Sequence, residues 1–140
     1  MADAGRLEKV ALTHKEIFER YMYAGAISRD PDAVAAMFTE DGVYEAPLVP
    51  DGHRLPRRLT GRDAIRTGMS AFHRELASPG TVNAGQSRVV LHDTADADVF
   101  IVELDAVLDH PGGQREPVSL VQIFRIRDGR IAVLRDYFAP

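Results

Sequence analysis

From Gln86 to Phe138 the chain is a succession of segments with strand composition: Gln86–Leu91, Asp98–Asp109, Glu116–Arg127 and Arg130–Phe138. Nothing else in the sequence constrains the fold as strongly. The separators "HPGGQ" and "RDG" have the residue content of hairpin turns, so the later segments are expected to pair antiparallel in chain order. Helical periodicity is confined to the part before Gln86. Thr13 and Glu16 form a capping box, Leu12 and Ile17 are placed as its hydrophobic staple, and Ile17, Phe18, Tyr21 and Ala24 make one apolar stripe. This helix should end around Gly25 to Ser28. Asp30 as N-cap and Pro31 at the first position start a second, short helix running to about Phe38. "TGRDAIRTGMSAFHREL" makes a third, with Ile65, Met69, Phe72 and Leu76 on one face. "VYEAPL" reads as a short strand, Val49 to Leu59 as a loop long enough to cover something, and Ser78 to Gly85 as a connector. Helices first and strands afterwards predict one α+β domain over residues 1–140, with the helices gathered on one face of a curved antiparallel sheet.

Composition narrows the chemistry. A net charge of −4 gives no basic footprint for nucleic acid. No apolar run is long enough for a membrane span, and the charges scattered through "MADAGRLEKVALTHKE" predict a cytoplasmic address. With no cysteine, disulfides, thiolate metal sites and cysteine nucleophiles are excluded, and the five histidines show no ligand spacing, so no metal site is expected. Both faces of the later strands are apolar: Phe100, Val102, Leu104, Ala106 and Leu108 on one, Val99, Ile101 and Val107 on the other. One face is expected to meet the helices and the other a second copy of the chain, giving a homodimer.

The terminal "GRIAVLRDYFAP" raises the functional question. Asp136 stands between Arg135 and Tyr137, whose side chains point to the opposite face, so neither neighbour neutralises it. It is either paired with Arg125, Arg127 or Arg135 across strands or across a dimer seam, or a working acid or base. Tyr21 and Tyr44 are a helix and a strand tyrosine able to donate a phenolic hydrogen bond to a developing oxyanion. His73 borders the apolar face that carries Met69 and Phe72; these three, with Phe18, Leu134 and Phe138, are the candidate substrate contacts. Glu103 and Asp105 share one strand face, and on periodicity alone that face could be the outer one.

The order helix, "DPDAVAAMFTEDGVYEAP", loop, "TGRDAI" helix and long strands ending "FRIRDGRIAVLRDYF" resembles the nuclear transport factor 2-like superfamily, particularly its SnoaL-like branch, over nearly the whole chain. The resemblance implies a cone-shaped, half-barrel antiparallel sheet with about three helices closing an internal apolar pocket. The branch includes polyketide cyclases, ketosteroid isomerases, limonene-epoxide hydrolase, phenazine-pathway proteins and catalytically silent members. The isomerase base, an Asp before Pro, is Ala46 here in "YEAP", and Glu45 beside it points to the other face. "LRDYF" resembles the "RDYFD" end of limonene-epoxide hydrolases, which implies a catalytic Asp136 inside the pocket. The same resemblance sets Asp105 at a second pocket carboxylate, with Glu103 where that enzyme has Arg. It thus implies a cofactor-independent cyclase or isomerase of secondary metabolism, such as antibiotic biosynthesis, acting on an apolar polyketide-like molecule. Epoxide hydrolysis, epoxide-opening cyclisation and a noncatalytic binding or assembly module are the alternatives.

Overall fold

The computed structural model describes residues 12–75 and 80–140, without the Glu75 side chain. The expected contact at Leu76 and most of the segment read as a cytoplasmic start lie outside these residues.

Helix α1 (His14–Met22) begins as its capping box dictates: the Thr13 hydroxyl accepts from the Glu16 amide, and the Glu16 carboxylate accepts from the Thr13 amide. Ile17, Phe18 and Tyr21 are its buried stripe. The helix does not simply stop near Gly25. It widens into a π-helical turn, Tyr23–Ile27, and Arg29 then adopts a left-handed backbone with φ 50°. Helix α2 (Pro31–Ala36) is capped by the Asp30 carboxylate, which accepts from the amides of Asp32 and Ala33. It ends before Phe38, which opens strand β1 (Phe38–Glu45). After the Pro-rich loop, a short strand β2 (Arg58–Thr60) pairs with β1, and Gly61, at φ 92°, turns the chain into α3 (Arg62–Glu75). Then come β3 (Thr81–Val82), β4 (Arg88–Asp93), β5 (Val99–Asp109), β6 (Arg115–Arg127) and β7 (Arg130–Phe138).

The strands form one open seven-stranded sheet in the order β2-β1-β7-β6-β5-β3, with β4 also on the edge of β5. The β5–β6 and β6–β7 hairpins pair antiparallel, as expected. The Asp128–Gly129 turn has φ 53° and 74°, positive at both central residues, the conformation whose twist matches a two-residue hairpin. The expectation of an all-antiparallel sheet needs correction at one place: β1 runs parallel to β7, in register Tyr44↔Leu134 and Glu45↔Arg135. These strands are separated by most of the chain, so no local turn chemistry sets their direction; packing of the intervening helices does.

Side-chain alternation sorts the sheet into two faces. Phe100, Val102, Leu104 and Ala106 of β5 and Phe124 of β6 are buried under the helices. At the narrow end the interior is a solid aromatic stack. Phe100 and Phe124 lie parallel at 4.6 Å, and Phe18 and Tyr21 meet Phe124 edge-on at 6.3 and 5.7 Å. Beyond this stack a hollow opens.

Candidate functional site

The hollow has a volume of about 500 Å³ and lies between the inner sheet face, α1 with its π-helical turn, α3 and the loop carrying His53 and Leu55. Its walls are mainly apolar, with Met69, Phe72, Leu104, Leu120 and Phe138 prominent. Asp136, Tyr44, Tyr21 and Gln122 bring polar atoms to one part of it.

Register explains how these four converge. Asp136 pairs with Gln122 across the β6–β7 ladder, and Gln122 pairs with Val102 on β5, so all three face inward. Tyr44 pairs with Leu134, two residues before Asp136, and its phenol reaches diagonally to donate a 2.8 Å hydrogen bond to Asp136 Oδ2. Tyr21 descends from α1, is buried, and makes no hydrogen bond among the described residues.

Asp136 is 9 % exposed, and among the described residues no cation shifts its carboxyl. The arginines that could have neutralised it are engaged elsewhere or point away: Arg135 stands 3.3 Å from Glu45, Arg127 lies 2.6 Å from Asp41, and Arg125 is on the exposed face. Burial therefore dominates and pushes the carboxyl up to about 6, while hydrogen bonding from Tyr44 and the nearby Gln122 amide tempers the rise. Oδ1 has no partner, and neither has Gln122 Oε1. Such orphaned buried oxygens are uncommon and call for an explanation. Burial, and secondarily the Asp136 charge, raises both tyrosine phenols, so Tyr21 and Tyr44 stay protonated donors.

His73, Phe72, Met69 and Phe138 line the hollow together with Asp136, Tyr21 and Tyr44. Phe18 and Leu134 do not: both are buried in the solid part of the core. Asp105 is displaced most decisively. It lies three residues from inward-facing Val102, an odd number, and so occupies the outer face, where it accepts a 2.7 Å hydrogen bond from Ser119. Glu103 is likewise outside, paired with His92 at 2.5 Å. The expected Asp105–Asp136 acidic pair is not formed, and with it goes the two-carboxylate arrangement of the epoxide-hydrolase alternative. Ala46, where the isomerase base would stand, is wholly buried, and Glu45 points outward to Arg135 and Arg58.

Two residues escaped the sequence reading. Gln122 carried a usable signal, as a polar residue at an inward position in the alternation Val118, Leu120, Gln122, Phe124. Arg29 carried none, because its place on the wall depends on the π-helical turn before it.

Among the described residues, no three His, Asp or Glu side chains are grouped to hold a metal ion, and no helix is long and apolar enough to cross a membrane. Residues 18–134 match the SnoaL-like domain family. Over 106 residues the chain is 32% identical to an uncharacterized PhzA/B-like protein of Pseudomonas aeruginosa, covering 74% of this chain and 69% of that one. Among solved structures, a Bacillus subtilis protein provisionally named an isomerase superposes with a TM-score of 0.72 at 24% identity, covering 96% of this chain and 88% of the other. A phenazine biosynthesis-related protein from Pseudomonas aeruginosa gives 0.63 at 22% identity, covering 99% and 80%. A Pseudomonas putida protein provisionally named a polyketide cyclase also gives 0.63, at 21% identity, covering 90% and 91%. With the half-open sheet, the enclosing helices and the apolar hollow all in place, the chain belongs to the SnoaL-like family of the nuclear transport factor 2-like superfamily.

Proposed function

We propose that this protein is a cofactor-independent cyclase or isomerase in which Asp136 moves a proton on an apolar, polyketide-like substrate held in the hollow. The observation that carries the reading is the state of Asp136: a residue that lines the hollow, buried, without a cation partner among the described residues, anchored through Oδ2 by Tyr44, and with Oδ1 buried and unpartnered. A carboxyl group shifted to about 6 is divided between its two protonation states near neutrality, as proton transfer in either direction requires. The ionised form takes a proton from a carbon next to a carbonyl through Oδ1. Tyr21, still protonated, donates to the oxygen where enolate charge develops. Asp136 then returns its proton to the rearranged or ring-closed product. The cavity wall contributes by holding a flexible chain in a reactive fold, which lowers the entropic part of the barrier. The names carried by the Pseudomonas putida and Bacillus subtilis neighbours fit this class of reaction.

The test uses an apolar β-keto ester in deuterated buffer, with wash-in of deuterium at the carbon between the carbonyls followed by NMR. Wild type is expected to accelerate exchange, with the rate rising through pH 6, and Asp136→Asn to abolish the acceleration. Equal rates for the two proteins would sink the acid/base role and leave a reaction governed by cavity shape alone.

The reading includes a dimer assembled through the outer sheet face, supported by the exposure there of Val121 and Val90. Sedimentation should give twice 15.4 kDa, and a species of 15.4 kDa alone would refute it. It also includes a cytoplasmic setting, which fractionation of the source cells would test.

A further inference from the structure

The hollow has a second polar region that the proposed chemistry does not use. It is formed by Arg29 and His73, which both line the cavity. Arg29 donates from Nη2 to the carbonyl of Gly80 at 2.9 Å, and no carboxylate pairs with it among the described residues. Gly80 packs against β5 so closely that an added Cβ would lie 2.7 Å from Leu108 Cβ. The Arg29 head group is therefore located at the Leu108 level of the sheet. Asp136 is located at the Val102 level, through Gln122. Six residues of β5 separate the two levels, roughly 20 Å along an extended strand before curvature shortens it. Consistent with that separation, the Asp136 carboxyl responds to burial, Tyr44 and Gln122 and to no arginine.

Three features show that this region is built rather than incidental. Arg29 has a left-handed backbone, unusual for a residue with a side chain, and such conformations persist only where the surroundings impose them. It follows directly on the π-helical turn, a form common at functional sites. His73 Nδ1 is buried and has no hydrogen-bond partner. Burial, and next the Arg29 charge, lowers the affinity of this imidazole for a proton, with the Arg29 main chain pulling the other way. Among the described residues the Arg29 guanidinium has no carboxylate partner, and beside it His73 Nδ1 has no hydrogen-bond partner. The neighbouring carboxylate, Glu116, is already taken by His110 at 2.8 Å.

We propose that Arg29 and His73 form an anion subsite for a carboxylate at the far end of an elongated, otherwise apolar substrate whose reacting carbon lies at Asp136. The inference rests on the reading of the hollow as the substrate site and narrows the substrate class to amphiphilic acids. The apolar stretch between the poles, with Leu104, Leu120, Met69 and Phe72 on its walls, accommodates the body of such a molecule.

Laurate and its methyl ester are suitable probes, having the same apolar chain with and without the charge. By titration calorimetry at pH 7.5 and low salt, wild type is expected to bind laurate about 5-fold more tightly than methyl laurate, a modest ion-pair gain. Arg29→Met should remove that preference by weakening laurate alone. In imidazole NMR, laurate but not the ester should raise the pH at which His73 titrates, a shift that a merely structural His73 would not show. Asp136→Asn should leave the preference intact, because its pole is separate. Equal affinity of wild type for the two probes, equal weakening of both by Arg29→Met, or loss of the preference in Asp136→Asn would each overturn the subsite. Ester binding without any laurate preference would leave the acid/base reading standing, whereas failure of both probes to bind would remove the cavity reading along with the subsite.

Discussion

Replacing Asp136 by Asn keeps the shape of the side chain and removes its titration, which makes the cost of a buried carboxylate measurable. Burial moves this group from 3.8 to about 6. Because the folded-state value is the higher one, the native protein binds more protons than the unfolded chain between these two values, and stability falls as pH rises through the interval. Integrated over a shift of about two units, the loss is about 3 kcal/mol, complete above pH 6 and absent below about pH 4. Asp136→Asn escapes it. The Asn Oδ1 can still accept from Tyr44, so the variant is expected to be more stable than wild type by up to about 3 kcal/mol at pH 7.5 and to converge on it toward pH 4. Urea unfolding at pH 4.5, 6 and 7.5 reads this directly, and the histidines and surface acids common to both proteins cancel in the difference. Parallel stability curves for the two proteins across this range would show that the carboxylate is not held in a desolvated site, and the catalytic assignment would lose its physical basis. A more stable but inactive variant is the expected signature of a residue kept for chemistry at the expense of the fold.

Tyr44→Phe removes the hydrogen bond that lowers the Asp136 value, so the carboxyl should titrate above 6; carbon-13 NMR of the side chain would show it, and an unchanged midpoint would contradict the geometry. Asp105→Ala should leave ligand binding and exchange activity unaltered and change stability by no more than about 0.5 kcal/mol, since the side chain is exposed on the outer face; a large activity loss would place that face in the site after all. Gly80→Ala should cost about 1–3 kcal/mol in thermal or urea unfolding, because the new Cβ meets Leu108 Cβ, a backbone-proximal atom with no room to yield.

The family neighbourhood fits the site described here without dictating it. The fold places a carboxylate, two phenols and an amide where strands β1, β6 and β7 converge, and leaves an isomerase-type base position occupied by Ala46. On the proposed reading, chemistry centres on one carboxylate rather than two, and the division of labour between acid and base falls to a single group and its protonation equilibrium.

Local order was readable from residues alone. The Thr13 capping box, the Asp30–Pro31 helix start and the Asp128–Gly129 hairpin are decided by atoms a few bonds apart, so their sequence signals determine them. The parity that buries Phe100, Val102 and Leu104 is equally legible and by itself puts Asp105 on the outer face. What the sequence could not determine was where chain segments meet. The parallel pairing of β1 with β7 brings Tyr44 to Asp136 from 92 positions away, and the π-helical turn swings Arg29 onto the cavity wall beside His73. Nor could it show that Arg127 and Arg135 would be spent on Asp41 and Glu45. A carboxylate is ordinary or reactive according to its solvation and the charges around it, and both are set by packing between distant segments, which only the tertiary structure decides.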